Sequence, residues 1–167
     1  VLEDVEITCA DLPGSNGVNN GAGGQVPLRR ADIHSCENGL NVPGNTTVVD
    51  SWIHDLYDGG DAHTDGAQFN QGAANIRFEH NTIDVRGNST AAIIMWDEGG
   101  TQNRDVLITR NLMAGGAYTL YCGREGSAVN VVISQNRFGP FTYGSSNGCA
   151  SGGEVWTGNV RDATGVA

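Results

Sequence analysis

The 167-residue chain contains no lysine, only nine arginines, four prolines, two methionines and 7% aromatic residues. Long runs of Ala, Leu or Glu are missing too, and with them the usual material of helices. Val, Ile, Thr, Asn and 25 glycines take their place, a composition of strands and turns. No stretch approaches the roughly 20 apolar residues of a membrane-spanning helix, so no membrane partner is expected. The net charge of −10 excludes the basic surface that nucleic acid and anionic lipid require. An acidic polysaccharide stays open as a partner through a local arginine cluster or a bridging divalent cation, and acidity also serves solubility. Val1 is not Met and no basic-then-apolar leader opens the chain. An export signal is therefore expected to have been removed or to lie outside it. The length suits one domain, 1–167, with a substantial core.

The four cysteines fall into two pairs, Cys9 with Cys36 and Cys122 with Cys149, each 27 residues apart. No Cys-x-x-Cys pair exists to begin a zinc site, so an even count in a glycine-rich polar chain reads as two disulfides in a secreted protein.

An internal repeat decides the fold class. NIRFEHNTID (75–84), DVLITRNLMA (105–114), NVVISQNRFG (130–139) and GEVWTGNVRD (153–162) each alternate apolar residues and then place an Asn. These are Asn81, Asn111, Asn136 and Asn159, at spacings of 30, 25 and 23. Earlier segments fit without the Asn and put the buried anchors at Ile7, Ile33, Ile53, Ile83, Met113 and Phe138. Period-two alternation means strands with one face buried. Short strands broken at every repeat by Gly and Asn, with no helix between them, predict an all-β parallel solenoid, a β-helix of six to seven coils. Asn suits the repeating bend because it tolerates left-handed backbone and can hydrogen-bond its equivalent one coil away. A β-sandwich gives no reason for one Asn at one phase. Coils about 4.8 Å apart sit inside the roughly 4.4–6.8 Å Cα window of a disulfide, so Cys9–Cys36 and Cys122–Cys149 are predicted to bridge neighbouring coils. A second strand per coil, aligned on its Gly or Ala, gives an outward column Asn19, Asn41, Gln68, Ile94 and Thr119. Such an amide-rich face suits sugar hydroxyls and is equally ordinary solenoid stacking.

The segments ADIHSCENGLNV, VVDSWIHDLYDGGDAHTDGAQF, NIRFEHNTIDV and LMAGGAYTLYC resemble secreted right-handed parallel β-helix proteins of the pectate-lyase-like superfamily, in particular an actinobacterial group. The resemblance covers essentially the whole chain and implies a carbohydrate-active protein, a lyase or hydrolase cleaving a polysaccharide. The same fold also hosts adhesins and phage tail proteins. Lyases of this kind abstract a proton beside a uronate carboxylate with Lys or Arg, often with calcium. Here that leaves Arg77, Arg110 and Arg124, of which Arg77 and Arg110 have Glu79 as an alternative partner. The paired aspartates and Gly-His-Gly pattern of pectin-hydrolysing relatives are missing. The repeat enters in mid-pattern, so a fragment of a longer chain, self-associating through its coil ends, is also expected.

Candidate chemistry centres on HDLYDGGDAHTDGAQF (54–69). From Ile33 to Gly39 the chain takes six residues, and from Ile53 to Gly66 thirteen. The third coil therefore carries an insertion over 55–63, where solenoid binding sites tend to lie. His54, His63, Asp58, Asp61 and His34 are the candidate catalytic residues, since carboxylates with a His can divide acid and base roles. Asp55, Asp58, Asp61 and Asp65 are candidate ligands for calcium, the one cofactor expected. Asp65-Gly66 also repeats the Asn16-Gly17 and Asn38-Gly39 turn, a structural role. The residues after the anchors put His34, His54 and Asp84 in one outward row, where polar residues are needed anyway. Trp52, Gln68, Asn41, Arg77 and Arg110 are the candidate substrate contacts, with Trp96, Trp156, Tyr57, Tyr118 and Tyr121 as further stacking rings. The alternative is a non-catalytic module for glycan binding, surface attachment or fibre formation.

Overall fold

A computed structural model describes residues 1–21, 24–87, 89–95, 102–122, 128–149 and 154–162, without the side chains of Gln71 and Ala128. Trp96 and Arg124 lie outside the described residues. The chain is an all-β parallel solenoid, with no helix among the described residues. Its strands are β1 (Leu2–Asn19), β2 (Val26–Val49), β3 (Trp52–Ile53), β4 (Asp65–Glu79), β5 (Thr82–Val85), β6 (Ala91–Met95) and β7 (Asn103–Thr109). They continue as β8 (Leu112–Gly115), β9 (Tyr118–Tyr121), β10 (Ala128–Ser134), β11 (Arg137–Phe138), β12 (Gly144–Asn147), β13 (Val155–Thr157) and β14 (Val160–Arg161).

Three faces form, and β1, β2 and β4 are long because they run round the corners between them. On the first face the register is Ile7↔Ile33↔Ile53↔Ile83↔Met113↔Phe138↔Arg161. All six predicted anchors thus stack, and Ile33, Ile53 and Ile83 have no exposure at all. The second face orders β1-β2-β4-β6-β9-β12, and the third pairs 44–49 of β2 with 74–79 of β4, then β7, β10 and β13. Inward residues of all three faces meet in one core, with Phe69, Phe78, Ile93 and Ile108 fully buried. The solenoid makes about five turns, not six to seven. Anchors count rungs, and the second face has six strands enclosing five intervals.

Two polar devices hold the corners. Between the third and first faces runs a buried ladder, Ser51-Asn81-Asn111-Asn136-Asn159. The backbone N–H of each member donates to the next side-chain Oδ1 at 2.9–3.0 Å. Each Asn Nδ2 also donates back to a carbonyl of the preceding strand, at Val48, Phe78, Ile108 and Ile133. The left-handed residue is not the Asn, as its type suggested, but the one before it. Asp4, Arg30, Asp50, His80, Arg110 and Gln135 all have φ between 49° and 57°. The disulfides Cys9–Cys36 and Cys122–Cys149 span adjacent coils at Cα separations of 4.7 and 4.9 Å, an arrangement suited to an oxidising environment.

At the corner between the first and second faces the backbones approach too closely for any side chain. A Cβ on Gly66 would lie 2.4 Å from both Ala92 O and Ile83 Cγ2, and one on Gly39 would meet Gly66 O and Ile53 Cγ2. Gly66→Ala is therefore expected to cost about 2 kcal/mol through overpacking against backbone. Urea unfolding monitored by circular dichroism measures it, and an unchanged midpoint contradicts the packing argument.

Candidate functional site

The insertion is shorter than the sequence suggested. Ser35 N donates to Asp55 O at 3.0 Å and Tyr57 N to Cys36 O at 2.9 Å, so residues 55–57 still follow the previous coil. Thr64 Oγ1 donates to Tyr57 O at 2.6 Å and closes the excursion. Asp65 N then rejoins the stack through Asn38 Oδ1 at 3.0 Å. Only residues 58–63 project. Asp61 and His63 are exposed there, while Asp58 lies against Gly87, where an added Cβ would stand 2.2 Å from Asp58 Oδ2. Among the described residues no group of three or more His, Cys, Asp or Glu is arranged to hold a metal ion. The four candidate calcium ligands fall in separate surroundings: Asp55 against His54, Asp58 by Gly87, Asp61 in solvent and Asp65 in the interior.

On the first face His34 and His54 are neighbours as the row predicts, with ring centroids 5.5 Å apart. Asp84 follows Ile83, the partner of Ile53, and so keeps its place in the row, with its carboxylate ion-paired to Arg86. His54 places Nε2 2.7 Å from Asp32 Oδ1 and Nδ1 2.8 Å from Asp55 Oδ2. Carboxylates only accept, so both bonds coexist only when both ring nitrogens carry hydrogen. The ring also stacks on Trp52, centroids 3.4 Å apart and 17° from parallel, leaving the indole 47% exposed. His34 Nε2 lies 3.0 Å from Glu6 Oε1. Asp32 was missed in the sequence, although its place two residues before His34 on an outward-facing strand pointed to it.

The second face carries an uncharged strip. Its outward register runs Asn19↔Asn41↔Gln68↔Ile94↔Tyr121↔Asn147. Tyr121, not Thr119, continues the column. Alignment on the small residue slipped here, because Thr119 is fully buried and turns its hydroxyl to Gly115 O. Asn70 Nδ2 donates to Asn41 Oδ1 at 2.8 Å, and Asn41 Nδ2 donates to Gln68 Oε1 at 3.0 Å. Tyr121 packs edge-on to Tyr118 at 5.3 Å, and Tyr118 in turn contacts Tyr143, which is 73% exposed. Partial burial pushes the Tyr121 phenol pKa up. Trp156, on β13 of the third face, stacks on Phe138 as part of the core boundary.

Beneath the strip lies Asp65, 2% exposed and in register with Asn38. Its Oδ2 accepts from Gln68 Nε2 at 2.9 Å, while Oδ1 is buried with no hydrogen-bond partner. Desolvation pushes this carboxyl up to about 7, against the opposing pull of the Gln68 and Ala91 hydrogen bonds.

No protein-family model, curated protein or solved structure matches the chain. What stands of the resemblance seen in the sequence is the parallel β-solenoid itself.

The third face carries a groove of about 790 Å³ over Thr47, Val49, Asp50, Arg77, Glu79, His80 and Arg110. Arg77 and Arg110 both ion-pair with Glu79, the alternative partner already visible in the sequence. His80 Nδ1 lies 2.7 Å from Asp50 Oδ1, and Arg29 Nε 3.7 Å from Asp50 Oδ2. Asp50 and His80 were missed. Both occupy the left-handed position before a ladder residue, which points every such side chain outward.

Proposed function

We propose that the chain is a secreted, pectate-lyase-like β-solenoid that binds a polysaccharide on its second face. The observation supporting this is the strip Asn41-Gln68-Tyr121, with Tyr118 and Tyr143 beside it. Its column carries amides, a tyrosine and no charged side chain, with the buried Ile94 between Gln68 and Tyr121, on a protein of net charge −10. Amides offer paired donors and acceptors to hydroxyls, and tyrosine rings offer flat apolar surface with a polar tip. A neutral chain suits such a strip, since it brings no charge that the protein would repel.

Affinity electrophoresis through gels containing single neutral polysaccharides tests this. Tyr121→Ala and Tyr143→Ala are each expected to weaken retardation about tenfold, equivalent to ~1.4 kcal/mol. Retardation lost in Trp52→Ala and kept in Tyr121→Ala moves the contact to the Trp52–His54 platform and overturns the reading. A second reading, cleavage of the bound chain, is favoured by Asp65, a carboxyl with pKa near 7 that can hold a proton at neutral pH. Reducing ends and unsaturated products released from the same polysaccharides distinguish it from binding alone. His63→Ala is its test in the excursion, with folding checked in parallel. The candidate calcium ligands do not form one cradle, so no step is assigned to calcium.

A further inference from the structure

The side-chain amides of the second face are strung in one direction. Asn70 Nδ2 donates to Asn41 Oδ1 at 2.8 Å, Asn41 Nδ2 to Gln68 Oε1 at 3.0 Å, and Gln68 Nε2 to Asp65 Oδ2 at 2.9 Å. Asp65 is 2% exposed, whereas Gln68, Asn41 and Asn70 are half-buried and reach the surface. Each amide has one end that only donates and one that only accepts. An ionised carboxylate only accepts, so Asp65 at the buried end makes every amide above it point its NH2 inward. The chain then ends at Asn70 with the carbonyl oxygen uncommitted.

A proton on Asp65 cannot enter this arrangement without reversing it. Oδ1 is buried with no partner, so a hydrogen there is a buried donor with nothing to accept it, a costly state. A hydrogen on Oδ2 meets the Gln68 NH2, donor against donor. Turning the Gln68 amide over brings Oε1 to the hydroxyl and restores the bond. It also sets the Gln68 NH2 against that of Asn41, so Asn41 turns, and Asn70 after it. The contact given up is the longest one, Gln68 Nε2 to Asn38 Oδ1 at 3.3 Å, and Asn38 Oδ1 keeps Asp65 N. The surroundings bring the proton into the neutral pH range. Desolvation raises the carboxyl to about 7, against hydrogen bonds from Gln68 and the Ala91 backbone of β6, and Glu37 of β2 adds a like charge. Tyr121 of β9 stays a neutral phenol, its own pKa pushed up. We propose that Asp65 is the positioning residue of this face, setting through Gln68 the direction in which the amides of Gln68, Asn41 and Asn70 donate. With Asp65 ionised, Asn70 offers a free carbonyl; with Asp65 protonated, it offers a free NH2. The two states suit different sugar hydroxyls, a consequence that rests on the glycan reading of this face. The relay itself needs no ligand.

Side-chain 1H–15N spectra of the ligand-free protein from pH 5 to pH 9 test the relay, with the Asp65 carboxyl followed by 13C. The NH2 signals of Gln68, Asn41 and Asn70 are expected to shift together, with the Asp65 midpoint of about 7. In Asp65→Asn they are expected to stay fixed, since the new NH2 donates to Gln68 Oε1 at every pH. Asn41→Ala cuts the chain without touching Asp65, so Gln68 is expected to titrate still and Asn70 to stop responding. Backbone amide spectra check that both variants are folded. Asn70 fixed in the wild type, Asn70 still titrating in Asn41→Ala, or shifts that persist in Asp65→Asn each overturn the proposal. Affinity electrophoresis at pH 6 and pH 8 then reads the consequence for a neutral polysaccharide. Wild-type affinity is expected to differ about threefold between the two, the worth of one exchanged hydrogen bond, and that of Asp65→Asn to be equal at both. No retardation at either pH, with amides that titrate together, defeats the glycan reading and upholds the relay.

Discussion

Asn111→Ala is expected to lower the free energy of unfolding by about 4 kcal/mol, and Asn136→Ala, which removes the equivalent set of bonds, by a similar amount. Asn111 is 1% exposed and makes hydrogen bonds on both sides of its coil. Its Oδ1 accepts from Asn81 N at 2.9 Å and Asn81 Nδ2 at 3.0 Å, and its Nδ2 donates to Phe78 O at 3.0 Å and Asn136 Oδ1 at 3.1 Å. Alanine removes all four, but they do not count equally. Asn81 Nδ2 keeps Val48 O, and Asn136 Oδ1 keeps Asn111 N. The Asn81 N–H and the Phe78 carbonyl lose their partners in the interior, at roughly 1–3 kcal/mol each. Asn159, at the end of the ladder and only half-buried, supplies the contrast. Water can replace its bonds, and Asn159→Ala is expected to cost about 1 kcal/mol. Urea denaturation of both variants settles the matter. Equal losses contradict the claim that buried, unreplaceable partners set the energy of the ladder.

This ladder shows which features the sequence could disclose. A residue whose side chain points inward must satisfy a fixed set of backbone groups, so its type repeats, and Asn81, Asn111, Asn136 and Asn159 were visible as a period. The left-handed bend immediately before them is just as regular in backbone, with φ near 55° from Asp4 to Gln135. Its side chains stand in solvent, so Asp, Arg, His and Gln all serve and no pattern marks it. The groove of Asp50, His80 and Arg110 grew out of that unmarked column and was correspondingly hard to see. The anchors Ile33, Ile53 and Ile83 were legible for the inward reason. The partners of His54 were not, because Asp32 reaches it from 22 residues earlier, on the neighbouring rung. The slip from Tyr121 to Thr119 has a related origin. Small residues are demanded at the tight corner of Gly39 and Gly66, but once the packing relaxes to Ala92 a Thr can follow, and the landmark is lost.

Asp65→Asn is expected to stabilise the protein by about 3 kcal/mol at pH 8 and to change little at pH 4. Asp65 occupies the place that Asn38 holds one coil earlier, at the same Asx-Gly corner. Asn38 Oδ1 accepts Asp65 N there, and the Asp65 side chain takes a hydrogen bond from the Ala91 backbone. An asparagine therefore fits the fold. The carboxylate does not, since its Oδ1 is buried without a partner and burial raises its pKa from 3.8 to about 7. The folded chain thus keeps a proton that the unfolded chain has lost between about pH 4 and pH 7. Stability contributed by that proton is complete below about pH 4 and is lost as the pH rises through about 7. A shift of about three units corresponds to about 4 kcal/mol. Asparagine forgoes the hydrogen bond from Gln68 Nε2, at about 1 kcal/mol, and the larger effect decides the sign. Thermal and urea unfolding of both proteins from pH 4 to pH 8 should show curves that diverge as pH rises. Parallel curves contradict the assignment. A fold that accepts Asn but carries Asp at a cost has exchanged stability for a proton held beneath the Gln68–Tyr121 strip, and such departures from local consistency mark functional positions. Glycan retardation and product release by Asp65→Asn, compared with wild type at pH 6, then separate the two readings of that strip. Binding retained with cleavage lost assigns the proton a chemical role, and binding retained with no cleavage in either protein leaves the strip a binding surface alone.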